Sequence, residues 1–213
     1  KMKILCVLIT AVLLVCGCGA KKTAREPSQT GAVAALPDGQ AEAVSDEELR
    51  YGVYSFDYGE ETDDYGNYNS DLDDENAVVV RDGAALHMKN AGISKSGNGT
   101  RDLFSGLNAA VAVIEQAHLR LAENSTVTSN GFGAPGIFCA GSPTMLEVEN
   151  TQIVTAGDNS PALVCADGAQ VTVLNARLVC EGAGSPLIMT RGDVALSLRQ
   201  STLSNTVSPA IEV

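Results

Sequence analysis

Through the second half of the chain, apolar residues fall on alternate positions in short runs, and the runs return at a nearly constant interval. Ser160-Pro161-Ala162-Leu163-Val164-Cys165 recurs as Ser185-Pro186-Leu187-Ile188-Met189-Thr190 and as Ser208-Pro209-Ala210-Ile211-Glu212-Val213. Ala134-Pro135-Gly136-Ile137-Phe138-Cys139 is the same run one copy earlier, and Asn108-Ala109-Ala110-Val111 and Asn76-Ala77-Val78-Val79 are more divergent copies. With Val79, Val111, Ile137, Leu163, Ile188 and Ile211 as markers, the spacings are 32, 26, 26, 25 and 23 residues. A second run follows each of the first five, with Leu86/Met88, Leu119/Leu121, Leu146/Val148, Val171/Val173 and Leu196/Leu198 alternating with polar or small residues. That period of two is the signature of a strand with one buried face. A third short strand contributes Ile93, Val127, Ile153, Leu178 and Leu203.

Three short strands and three turns in about 25 residues make one coil of a parallel β-helix, which buries its apolar face only by stacking on its neighbours. The predicted fold is all-β: a right-handed parallel β-helix of about five coils, the hand being the usual one for parallel connections. A β-sandwich would explain the alternation but not three elements recurring in phase. Between the second and third strands stands an amide, at Asn90, Asn124, Asn150, Asn175 and Gln200, with Asn124 displaced by one extra residue. Stacked at one turn, these side chains are expected to bond along the coils as an amide ladder. The register also puts Cys139 beside Cys165, pointing inward, and sets Cys180 apart on a third strand opposite Thr155 and Asn205. Arg120 and Glu147 should face outward on adjacent coils.

These strings resemble the pectin-lyase-like right-handed parallel β-helices, and more closely a group of bacterial surface lipoproteins and adhesin-like proteins in which Glu75-Asn76-Ala77-Val78-Val79-Val80 and Gly184-Ser185-Pro186-Leu187-Ile188 have counterparts in the same order. The resemblance spans residues 76–213. It implies the fold; for function it implies lyases, polysaccharide binders and adhesins alike. The relatives continue past the position of Val213, so the resemblance also implies that the β-helix is truncated here.

The N-terminus has a different pattern. Lys1-Met2-Lys3 precedes an apolar run from Ile4 to Val15, too short for a permanent membrane span, and reads as a secretory signal. Val15-Cys16-Gly17-Cys18 resembles a lipobox, and the small Gly17 makes Cys18 the expected lipid anchor, holding the protein on the membrane at the cell surface. Residues 1–17 are thus a signal peptide. Residues 18–50, rich in Ala, Pro, Gly, Ser and Glu, are expected to be a disordered tether.

Charge sets off one more segment. Residues 51–75 hold all five tyrosines and nine acidic residues with no Lys or Arg, whereas the chain from Asn76 onward carries 11 acidic and 8 basic residues. Within it, Asp71, Asp73, Asp74 and Glu75 could offer oxygen ligands to Ca²⁺, though not at EF-hand spacing; a solvated segment capping the first coil is the plainer reading. The overall net charge of −12 excludes nucleic acid as a partner.

Catalytic chemistry is absent from the pattern. The outward column His87, Arg120, Glu147, Thr172 and Ser197 contains one acid, and Asp158, Asp167 and Asp193 fall at turns of different phase. The histidines His87 and His118 have no cysteine partner at metal spacing. Arg191-Gly192-Asp193 sits at a predicted turn, where Gly-Asp is ordinary turn chemistry. The sequence therefore points to a non-catalytic surface β-helix that binds a polysaccharide or adheres to a host or neighbouring surface. Two rivals remain: a polysaccharide lyase or hydrolase whose site lies in further C-terminal sequence, and a structural spacer.

Overall fold

The computed structural model describes residues 23–24, 52–205 and 208–213. Apart from one 3-10 turn at Leu103–Ser105, its regular structure is entirely strand. The first coil is β2 (Gly52–Asp57), β3 (Glu60–Asp64) and β4 (Asn67–Ser70). The second is β5 (Asn76–Arg81), β6 (Ala85–Lys89) and β7 (Gly92–Lys95); the third is β8 (Val111–Val113), β9 (His118–Ala122) and β10 (Thr126–Ser129). The fourth is β11 (Ile137–Ala140), β12 (Met145–Glu149) and β13 (Gln152–Thr155), and the fifth is β14 (Leu163–Ala166), β15 (Gln170–Leu174) and β16 (Arg177–Cys180). The sixth is β17 (Ile188–Arg191), β18 (Ala195–Arg199) and β19 (Thr202–Asn205), after which β20 (Ile211–Glu212) adds one more strand. Corresponding strands pair in parallel to form three sheets, here named A (β2 and its successors), B (β3 and its successors) and C (β4 and its successors).

The predicted β-helix is therefore present, and three details of the prediction change. The solenoid starts one coil earlier, because the acidic Tyr-rich segment is itself a coil. Its second strand places Glu61 and Asp63 opposite the inward Leu86 and Met88, so the apolar alternation that marks every other coil is missing there. The marker in the second coil is Val78, not Val79: Val78 pairs with Val111, which in turn pairs with Ile137. A run of three valines hides the phase. Lastly, within the stretch read as a tether, β1 (Thr23–Ala24) pairs antiparallel with the outer edge of β2, Thr23 against Ser55 and Ala24 against Tyr54. Backbone pairing needs no apolar composition, so composition could not reveal it.

The interior is a continuous stack of aliphatic layers. Leu86, Leu119, Leu146 and Val171 lie in one column and Ile93, Val127, Ile153 and Leu178 in another, all nearly or fully buried. At about 25 cal/mol per Å² of apolar surface, this shared burial is what stabilises coils that could not fold singly. Cys139 pairs with Cys165, and both are free and fully buried; Cys180 pairs with Thr155 and Asn205. Burial pushes the Cys165 thiol up to about 12 and the other two upward as well.

The corner after the third strand is the tightest. Gly97, Gly131, Gly157 and Gly182 stack there, and a Cβ on any of them would collide with the backbone carbonyl of the coil before, Leu72 in the first case and the preceding glycine in the others. Asp73, Asn98 and Asp158 then accept from the backbone N–H of Asn98, Phe132 and Ala183 one coil on, at 2.6, 2.9 and 2.8 Å. The N–H of Ala134 and of Ser160 similarly donate to the hydroxyls of Ser160 and Ser185.

Candidate functional site

The three outer faces differ in what they leave free. Sheet A carries an apolar stripe, Val79, Ala112, Phe138 and Val164, but residues inserted after Gly99 fold back over it. Asp102 caps the 3-10 turn of that insertion, Phe104 packs on the stripe, and Arg191 of the sixth coil lies 4.3 Å above the Phe104 ring. This face is already covered. Arg191 also approaches Asp167 at 3.9 Å, so the cation of the Arg-Gly-Asp string is engaged within the protein.

Sheet B carries charge that is matched internally at its centre. The expected register holds: Arg120 pairs with Glu147, and His87, Thr172 and Ser197 continue the column. Arg120 bonds Glu149 at 2.6 Å and approaches Glu147 at 3.8 Å, while His118 lies 3.4 Å from the other Glu147 oxygen. Desolvation, reinforced by Arg120 and Lys89, lowers the pKa of His87. Exposed pairs of this kind contribute about 0–1 kcal/mol each.

Two members of the acidic quartet, Asp73 and Asp74, are engaged with the neighbouring loop. Besides the Asp73 bond, Asp74 accepts from the Thr100 N–H at 2.6 Å and from its hydroxyl at 2.5 Å. Within the same segment, the Leu72 carbonyl accepts at 2.5 Å from Lys95, which is 1% exposed. Burial lowers it to about 8 against the opposing fields of Asp73, Asp71, Glu75 and Asp74. The fields of Asp73, Asp71, Glu75 and Asp74 thus favour the charged form of Lys95, and among the described residues no three His, Cys, Asp or Glu side chains are grouped to hold a metal ion. Cys18 lies outside the described residues.

What remains is the corner between sheets B and C, where a shallow groove of about 760 Å³ runs along the coils. Its lining includes all five amides expected at this turn. Asn90, Asn124, Asn150, Asn175 and Gln200 have φ between 48° and 66°, the left-handed region that Asn tolerates through its short polar side chain. The full amide ladder is not formed. Asn175 donates to Asn150 at 2.5 Å, while Asn90 donates to the carboxylate of Asp64 at 2.9 Å. In the third coil both Glu123 and Asn124 are left-handed, and this doubled turn breaks the amide spacing. The outward side chains therefore keep hydrogen-bonding capacity that a closed ladder would consume.

Two features of this corner were missed from sequence. Each turn residue is followed by a small one, buried in all but the sixth coil, and where that one is Ser or Thr its hydroxyl holds the turn: Ser125 accepts from the Ala91 N–H at 3.1 Å, Ser201 from the Ala176 N–H at 3.2 Å, and Thr151 donates to Glu149 O at 2.9 Å. The next column outward is Thr126, Gln152, Arg177 and Thr202, one residue per coil. Asn-[Ser/Thr/Ala]-polar, repeated at the coil period, was the available signal. The groove thus presents amides, hydroxyls and one guanidinium at the 4.7–4.9 Å spacing of paired strands. Compared with known proteins, the chain matches no family model, no curated protein and no solved structure.

Proposed function

We propose that this protein is a non-catalytic surface binding module, lipid-anchored at Cys18, that holds a linear polysaccharide along the groove between sheets B and C. The observation that carries the reading is the groove's lining: exposed Asn124, Asn150, Gln152, Asn175, Gln200, Thr126 and Thr202, at coil-by-coil spacing, on a rigid scaffold. A polymer of similar polar units can repeat one contact from coil to coil, so weak hydrogen bonds add up along a preformed surface. The sparse charge of the groove, Glu123 beside Lys89 at 3.5 Å and Arg177, suits hydroxyl-rich ligands. The apolar stripe of sheet A is covered, and Arg120, His118, Glu147 and Glu149 at the centre of sheet B engage one another, which favours this groove over either.

Affinity electrophoresis through gels containing hydroxyethylcellulose, arabinoxylan, galactomannan or polygalacturonate tests the reading. At least one polymer should retard the soluble protein, and the Asn150→Ala/Gln152→Ala variant should lose about tenfold in affinity, as removal of two neutral hydrogen bonds predicts. Retardation by none, or unchanged retardation of the variant, contradicts it. Shortening of the polymer during the assay would favour an enzyme instead. The anchor has its own check: mass spectrometry of membrane-extracted protein should find an acylated N-terminal Cys18.

A further inference from the structure

The amide column has a sixth member that is not an amide. Asp64 pairs with Lys89 and Asn67 with Gly92, so Tyr65-Gly66 of the first coil stand where Asn90-Ala91 stand in the second. The backbone agrees: Tyr65 N–H donates to Lys89 O as Asn90 N–H donates to Glu123 O. Tyr65 is left-handed at φ 65° and 76% exposed. For a bulky side chain that backbone region is unfavourable, and Asn would occupy it at less cost. An exposed Tyr at this turn therefore gains neither conformational ease nor burial. Two neighbouring tyrosines do gain burial: Tyr68 is fully buried, with its ring centroid 5.0 Å from that of the half-buried Tyr54 and 6.0 Å from that of Phe56. Tyr58 shares that strain and exposure, so what sets Tyr65 apart is its place in line with the amides of the groove.

We infer that Tyr65 is a stacking platform for one sugar ring of a linear polysaccharide at the N-terminal end of the amide groove; the inference rests on the groove reading above. A pyranose ring has apolar C–H faces and a polar rim. An exposed phenol ring offers a flat apolar surface to the face, and the amides beyond it offer partners to the rim. The first coil also supplies an internal control. Tyr58 is equally left-handed, at φ 52°, and 67% exposed, but it occupies the turn of Asp82, Glu115 and Asp167, away from the amides.

The test uses the polymer that retards the soluble protein, with Tyr65→Asn, Tyr65→Phe and Tyr58→Asn, and reads affinity and melting midpoint on each. Tyr65→Asn should weaken binding by about tenfold, while its midpoint stays the same or rises because the turn regains a residue suited to it. Tyr65→Phe should retain affinity within about threefold, since the face and not the hydroxyl is used. Tyr58→Asn should bind as the parent does. Unchanged binding by Tyr65→Asn overturns the inference while leaving the groove in place if Asn150→Ala/Gln152→Ala is impaired. A midpoint that falls with Tyr65→Asn assigns the side chain a structural role and also overturns it. If no polymer is retained, groove and platform fall together.

Discussion

The first coil and the fourth and fifth coils share one backbone path and solve its packing in opposite ways. In the fourth and fifth, every inward side chain of the second strand is aliphatic: Leu146, Val148, Val171 and Val173. In the first, the same positions are Glu61 and Asp63, and the interior is filled by Phe56 and Tyr68, whose hydroxyl donates to Asp63. A middle coil has neighbours on both sides, so any apolar inward residue is buried. Among the described residues the first coil has another coil on one side only, with β1 alone on its outer side. It needs bulk where it touches its neighbour and polarity where it does not. The acidic Glu60–Asp64 strand also forms the outer edge of sheet B, where charge discourages another chain from pairing with it.

The largest expected difference between the two regions is at the glycine corner. Gly157→Leu drives a side chain into the Gly131 carbonyl, which is backbone and cannot yield. Urea denaturation should show a loss of at least about 3 kcal/mol, or no folded protein. In the first coil that position is Leu72, 39% exposed, and Leu72→Gly should cost about 1 kcal/mol. Equal effects would show that the corner is no tighter in the middle than at the end.

Alkaline titration sharpens the contrast between the second coil and the middle ones. Lys95 titrates near 8 when folded and near its ordinary 10.5 when unfolded, so the folded protein holds fewer protons in that window. Its contribution to stability therefore rises with pH between those values. Cys165 has the opposite sign: its stabilisation is complete below the ordinary thiol value of 9.0 and is lost as pH rises towards about 12. Denaturation between pH 8 and 10.5 should show a steeper fall for Lys95→Met than for the parent, and a shallower one for Cys165→Ala, each by roughly 2 kcal/mol. Parallel curves would mean that neither group is held as the structure places it.

A smaller effect separates the aromatic coil from its aliphatic neighbours. Tyr68→Phe keeps the ring and removes the donor to Asp63, leaving a half-buried carboxylate short of a partner; about 1–2 kcal/mol should be lost. The same hydroxyl-sized deletion at Thr155→Val, whose hydroxyl bonds the Cys180 sulfur, should cost less, because thiol acceptors are weak.

The coils were legible in the sequence where burial dictates residue type, as at Leu119/Leu121 or Ile153, since alternation there has no other cause. They were illegible where other physics fills the same position. Glu61 and Asp63 break the pattern because they sit on the edge strand of sheet B, and Val78 and Val79 obscure its phase because the outer neighbour is buried as well. The amide positions were also legible, because a left-handed turn favours Asn whatever the ligand. The groove itself was not. It arises from the doubled turn at Glu123 and Asn124 and from the column Thr126, Gln152, Arg177 and Thr202, which become neighbours only when register joins coils about 25 residues apart. Tyr65 could be placed among the amides only by that register, since nothing local distinguishes it from the four other tyrosines.

The most direct measurement is of the side-chain amides themselves. In a ¹⁵N-labelled protein titrated with a retained polysaccharide, the NH₂ resonances of Asn124, Asn150, Gln152, Asn175 and Gln200 should shift together and saturate at one concentration. Those of Gln116 and Gln170, which lie outside the groove at the first turn and on sheet B, should not move. Shifts at Gln170 with the groove amides still would place the ligand on sheet B and contradict the assignment.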